Sequence, residues 1–243
     1  MKETGTSPEE GGKMNRKQIQ DLDRWVFTHI CKTTQVNDQF LPTDGAYLIT
    51  LNHMSRLDFP ALVKTTRRDD IYAIAADKYK DFPVFGGMLK AHETIFIDRS
   101  KADFTAIKAV LAKLKEGHII AVAPEGTRSR TAQMIEAKEG VVMIAAKAGV
   151  PIIPVGVTGT ENFMAQLGHF HRPRFTVRFG PQYTLPPMDR DNRDAYMKTA
   201  IDEVMCRIAA LLPESYRGFY KDHARTAELC AEYKQRGDME LPY

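Results

Sequence analysis

The sequence has no apolar run approaching the roughly 18 consecutive residues that cross a bilayer. Its start, MKETGTSPEEGGKMNRK, has no apolar signal-peptide core. A spanning protein is therefore not expected, whereas one lying on a lipid surface is compatible with the chain. Cysteine is scarce. Cys31, Cys206 and Cys230 are odd in number, lack metal-ligand spacing and fall in segments that pattern as helix, so they are expected to be reduced structural thiols of a cytosolic protein. Charge imbalance is slight too: a net +3 over 243 residues does not indicate a nucleic-acid partner. There is no internal repeat, no low-complexity linker, no G-x-S-x-G and no cysteine in a polar turn, so no enzyme nucleophile is evident.

What is present fits one medium-sized globular domain. The chain is 43% apolar and 27% charged, enough to bury a real core. Its basic residues are concentrated in the middle: Arg99 to Arg178 holds twelve Lys/Arg against six Asp/Glu, while Asp189 to the end holds nine against eleven. A basic middle suits an anionic ligand or surface.

Residues 1–13 are rich in Glu, Gly, Ser and Pro and predict a disordered tail. Ile19, Leu22, Trp25, Val26, His29 and Ile30 then recur at three- and four-residue spacing, which predicts an amphipathic helix over 14–34. Short β-branched or aromatic runs follow at 46–51, 71–76, 94–97, 118–123, 152–157 and 174–179. Helical patterns separate most of them, at about 60–68, 82–91, 101–116 and 138–148, the third behind a Ser100…Asp103 cap, and two more close the chain at about 191–211 and 221–236. Strand and helix in alternation predict an α/β fold with a largely parallel central sheet flanked by helices, an N-terminal amphipathic helix and C-terminal helices.

In such sheets ligands bind off the carboxyl ends of strands, and three polar clusters fall there: NHMSRLD (52–58), DRS (98–100) and PEGTRSR (124–130). In the first, Pro60 is comfortable only in the first turn of a helix. The helix should therefore begin near residue 58, with Asp58 at its N-cap or just inside and His53 in the preceding bend, where the two side chains can meet. Asp58 could simply cap the helix, and His53 could be a satisfied buried polar residue. Alternatively they form a dyad in which Asp58 fixes the imidazole tautomer and the other ring nitrogen takes a proton from a hydroxyl. Ser55 is expected to bond the turn's backbone. A base without its own nucleophile suggests that the substrate supplies the attacking oxygen.

PEGTRSR places Gly126 beside Thr127, Arg128 and Ser129 directly after a strand, and glycine lets a backbone approach an anion closely. Guanidinium forks match phosphate oxygens, and Arg99 can converge on the same place from another strand. Glu125 is odd in an anion site unless it orients an arginine or a substrate hydroxyl. Taken together, these residues describe a base held over a phosphate-bearing alcohol.

NHMSRLD, FIDRS, PEGTRSR and VPIIPV, in that order over about residues 52–155, resemble the four motif blocks of the glycerolipid acyltransferases, the group that includes lysophosphatidic acid acyltransferase. The resemblance implies His53 as general base and Asp58 as its orienting partner. It implies Arg99, Glu125, Gly126, Thr127 and Arg128 around the acceptor phosphate, and Val150–Val155 as a structural strand near the acyl site. It also divides the chain into the tail, the 14–34 helix and an acyltransferase domain at 35–243.

The implied reaction moves a fatty acyl group from acyl-CoA or acyl carrier protein, as co-substrate, to the free hydroxyl of a lysophospholipid acceptor. Lysophosphatidic acid is the first candidate, with no acyl-enzyme, no cofactor, no metal and no nucleic-acid partner. The implied location is cytoplasmic, peripherally on the membrane surface. Many members have glycine where this chain has Glu93, which could narrow or recharge the approach to the pocket. Many also carry a strongly hydrophobic N-terminal segment, and here only the amphipathic helix is available. The alternatives are another lysolipid or polar acceptor, a phosphoesterase whose metal is held by His53, Asp58, His92 and Glu125, and a non-catalytic membrane-surface module.

Overall fold

The computed structural model describes residues 14–83, 85–100, 103–188 and 191–243; the tail expected at 1–13 lies outside them. The elements run α1 (Arg16–His29), β1 (Lys32–Val36), β2 (Tyr47–Leu51), α2 (Asp58–Thr65), β3 (Ile71–Ala76), α3 (Phe85–Ala91), β4 (Ile95–Ile97), α4 (Phe104–Lys115), β5 (Ile119–Val122), α5 (Gly140–Ala148), β6 (Ile152–Thr158), α6 (Phe163–Gly168), β7 (Arg174–Phe179), α7 (Arg193–Ala209) and α8 (Ala224–Gln235). Seven strands form one sheet in the order β1-β7-β6-β2-β5-β3-β4. Every pairing is parallel except that of β6 with β7.

The central strand shows why short apolar runs read as strands here. All five residues of β2 are buried, as expected where helices cover both faces. Alternate side chains go to opposite layers. Leu48, Ile120 and Ile152 meet α4, α5, α7 and α8 in one cluster, while Ile49, Ala121 and Ile153 meet α1 and α2 in the other.

The N-terminal expectation needs correcting. A capping box closes α1, with Asn15 Oδ1 accepting from Gln18 N and Gln18 Oε1 from Asn15 N, but the helix stops at His29. The chain then forms edge strand β1, whose Lys32 pairs with Arg174, so Cys31 lies in the turn and not in a helix. The apolar stripe is also split: Ile19 and Phe27 are buried, whereas Leu22, Trp25 and Ile30 are exposed. Helix α4 is capped by Asp103 alone, which accepts from Ala106 N at 3.0 Å; Ser100 instead bonds Asp98.

Because β2 through β6 are mutually parallel, their carboxyl ends share one edge. The loops after β2, β3, β4, β5 and β6 all emerge there, and they carry every polar cluster singled out above.

Candidate active site

The loop 52–58 is fastened at both ends. Asn52, fully buried, makes two bonds with Val157 of β6: its Nδ2 donates to the carbonyl at 2.8 Å and its Oδ1 accepts from N–H at 2.7 Å. At the far end Asp58 is the first residue of α2, after Leu57, and Pro60 sits in the first turn as its geometry requires. The bend brings His53 Nδ1 to 2.9 Å from Asp58 Oδ2. The same carboxylate oxygen accepts from Met54 N and Ser55 N, each at 2.8 Å, while Oδ1 accepts from the hydroxyl of Thr160. Ser55 Oγ accepts from Leu57 N at 3.2 Å, a turn bond as expected. Asp58 therefore caps the loop and also orients the imidazole.

Thr160 reaches Asp58 through a turn that only glycine fits. Gly159 lies at φ +90, and a Cβ there would fall 2.2 Å from the Arg174 carbonyl oxygen. On the other side of His53, buried Glu125 accepts from His53 N at 2.8 Å through Oε1 and from Ile135 N at 3.1 Å through Oε2. Ser129 N adds a bond to the His53 carbonyl at 2.9 Å. Burial, and secondarily the Asp58 charge, pushes the Glu125 carboxyl up to about 7.

His53 opens onto a cleft of about 830 Å³, part of it solvent. The floor is made by alanines: Ala73 and Ala75 of β3, Ala121 of β5 and Ala123 just past its end, with Ala73 and Ala121 directly paired. Four small side chains on one face of two adjacent strands leave an apolar groove, roofed by Phe59, Phe85, Met88 and Leu89. Arg56, Arg99, Thr127 and Arg128 stand around it. Neither Arg99 nor Arg128 has a hydrogen bond or ion pair among the described residues. Gly126, at φ +70, exposes its backbone between two cations: a Cβ there would lie 3.4 Å from Lys138 Cδ and 3.8 Å from Arg99 Nη1.

The sequence profile of the acyltransferase family matches residues 32–158, a span that contains this loop, both arginines and the cleft floor. The chain belongs to the acyltransferase family. A probable 1-acyl-sn-glycerol-3-phosphate acyltransferase of Mycoplasma genitalium is 30% identical over 155 residues, 61% of this chain and 57% of the relative. The 1-acyl-sn-glycerol-3-phosphate acyltransferase of Bacillus subtilis is 28% identical over 52% of this chain and 62% of its own length. A lyso-ornithine lipid O-acyltransferase of Rhizobium meliloti is 26% identical over 52% of this chain and 45% of the relative. The matched regions thus span about half of these relatives. The crystal structure of the 1-acyl-sn-glycerophosphate acyltransferase PlsC from Thermotoga maritima superposes with a TM-score of 0.58 at 21% identity, covering 76% of each chain, which shows the shared fold.

In this family member the structure brings together His53, Asp58, Arg99, Thr127 and Arg128, with Gly126 beside them. Other residues singled out by the sequence lie off the cleft. Glu125 touches neither an arginine nor the cleft; it ties two backbone segments. Val150–Val155 runs into β6, a buried structural strand as expected, beside β2 at the centre of the sheet; its residues do not line the groove. Glu93 is exposed at φ +54 in the turn after α3 and lies off the cleft, so glycine at that position answers a backbone requirement. Nor is the four-ligand metal set assembled: His92 lies 2.9 Å from Asp23 of α1, and no three His, Cys, Asp or Glu converge among the described residues. Thr160, Lys138 and the alanine floor belong to none of the motif blocks, although the alternate alanines in IYAIAA and HIIAVA mark the floor.

Proposed function

We propose that the protein transfers a fatty acyl group from a thioester, acyl-CoA or acyl carrier protein, to the free hydroxyl of a lysophospholipid, with lysophosphatidic acid as acceptor and phosphatidic acid as product. The observation that carries this reading is the His53–Asp58 pair at the mouth of an apolar groove whose rim holds Arg99 and Arg128, neither with a hydrogen bond or ion pair among the described residues.

The geometry suits a direct transfer. An ionised Asp58 can only accept, so Nδ1 of His53 carries the proton and Nε2 offers its lone pair to the cleft. Nε2 takes the acceptor's hydroxyl proton as that oxygen attacks the thioester carbonyl. The tetrahedral intermediate then collapses, the C–S bond breaks, and the departing thiolate receives the proton back from Nε2. The fatty chain lies along the alanine floor, while Arg99 and Arg128, with Lys138 alongside, hold the acceptor phosphate through charge-assisted bonds. Two guanidiniums and an ammonium suit a phosphate better than an acceptor lacking one, which favours a lysophospholipid over phosphate-free lysolipids, and a terminal phosphomonoester, with more charge and more free oxygens than a diester, makes lysophosphatidic acid the first candidate. The acceptor lives in a membrane, and among the described residues no helix is long and apolar enough to cross one; the protein works peripherally at the cytoplasmic side.

The test is thiol release from palmitoyl-CoA with and without lysophosphatidic acid. Release that depends on the acceptor is expected. Release indifferent to it, or a clear preference for a phosphate-free lysolipid, would overturn the assignment.

A further inference from the structure

Residues 163–174, FMAQLGHFHRPR, contain two arginines, two histidines and no acid. The segment begins three residues after Thr160, the partner of Asp58, so it leaves the sheet on the same edge as the cleft. Beyond Phe163, its large apolar side chains point away from any core: Leu167 is exposed, Met164 is 73% exposed and Phe170 99%. A single exposed leucine is ordinary, but a fully solvated phenylalanine between two histidines, with an arginine two residues on, is a signal.

This tip is built. Phe170 lies at φ +56, a region bulky residues rarely occupy and retain where surrounding contacts enforce it. Phe170 N donates to Leu167 O at 3.0 Å and His171 N to Gln166 O at 2.9 Å, while Gln166 Oε1 accepts from Arg174 N at 3.1 Å. Behind the tip Phe163 packs on Phe175 at 6.2 Å, and the Arg172 guanidinium donates to the Thr28 carbonyl near the end of α1. Lys32 N bonds the Pro173 carbonyl at 2.7 Å, which brings exposed Lys32, His29 and Ile30 to the same corner.

We propose that this corner is the surface on which the protein sits on an anionic membrane. Phe170, Leu167 and Met164 enter the headgroup layer, while Arg172, Arg174 and Lys32 meet lipid phosphates. A bilayer fits better than a protein partner because the apolar groups form a protruding tip, not a groove, and because no acid in the segment opposes a negative surface. Placed so, the cleft edge faces the membrane and the acceptor hydroxyl can reach His53 without the lipid leaving the interface. The purpose of the contact rests on the reading that the acceptor is a membrane lipid; the binding itself does not.

The test uses the full chain and sedimentation with vesicles of phosphatidylcholine, with and without about a third of phosphatidylglycerol. Met164→Ser combined with Phe170→Gly should weaken binding to anionic vesicles about tenfold or more, without lowering the melting temperature, since glycine suits φ +56. Turnover of a dispersed short-chain acceptor should not change. Phe170→Trp in a Trp25→Phe background should shift its emission blue on anionic vesicles and be quenched by brominated lipid. Undiminished binding of the double variant, or a Trp at 170 that responds to acyl carrier protein and not to vesicles, overturns the proposal. Wild-type protein that binds no vesicle would sink this surface together with the peripheral reading, while acceptor-dependent thiol release judges the reaction separately.

Discussion

Two histidine–aspartate pairs occur in this chain at the same separation of 2.9 Å, His53 with Asp58 and His92 with Asp23. They differ in everything around that contact. The His53 side chain is 30% exposed and its carboxylate is saturated by two backbone N–H groups and a threonine hydroxyl. The His92 side chain is fully buried, with Phe59 edge-on to its ring. Its Nε2 approaches Asp23 off the line of a hydrogen bond, and its Nδ1 has no partner among the described residues. One pair is preorganised and open to solvent on its reactive side; the other is a buried tie between α1 and the end of α3. Access and a saturated carboxylate, more than the residue types, separate a candidate base from a strut.

Substitutions should widen that contrast. His53→Ala is expected to lose at least about a hundredfold in turnover, the lower range for a general base, with the melting temperature nearly intact; a folded variant of near-normal rate would end the base assignment. His92→Ala should do the reverse, lowering stability by about 3 kcal/mol through a cavity and an unpaired buried carboxylate, with turnover within about twofold of wild type. Urea unfolding and steady-state rates on one preparation measure both.

Glu125 makes the surroundings of His53 sensitive to pH. Its carboxyl titrates at about 7 in the fold against an ordinary 4.5. Between these values the unfolded chain has released a proton that the native state keeps, so stability should fall as pH rises through this window, by about 3 kcal/mol in all. Glu125→Gln should flatten the slope of the urea midpoint between pH 5 and 7.5; an unaltered slope would place the titration elsewhere. Arg99→Ala is expected to raise the acceptor KM about tenfold, with the thioester KM little affected, and Lys should restore it only in part. Equal changes for both substrates would move Arg99 to the donor's phosphates. The smallest effect is Glu93→Gly, which should add roughly 1 kcal/mol of stability by relieving φ +54, with no change in rate.

The sheet was readable from sequence because its central strands are covered on both faces, which writes them as short uninterrupted apolar runs such as 46–51 and 152–157. Strand β1 was not. KTTQV lies at the sheet edge with a single buried residue, so its side chains carry no alternation, and the helical periodicity before it ran on past its true end. The dyad was legible because Pro60 fixes the start of α2. Thr160 was not, being 102 residues from the carboxylate it bonds. Glu125 looked like a ligand because its motif surrounds it with anion-binding residues; only the backbone N–H groups of His53 and Ile135 show that it works inward.

The pairing of β1 with β7 has a consequence in time. Lys32 and Arg174 are partners about 140 residues apart, and translation adds roughly 5–20 residues per second. The first strand must therefore wait on the order of ten seconds for its neighbour to be made. During that interval α1 can already pack on α2 and bond the Asp69 carbonyl, but Phe27 lacks the Phe175 ring it packs on at 5.5 Å. Strand β1 is thus made long before its place in the sheet exists, so agents that act on emerging chains meet its unpaired edge before β7 does.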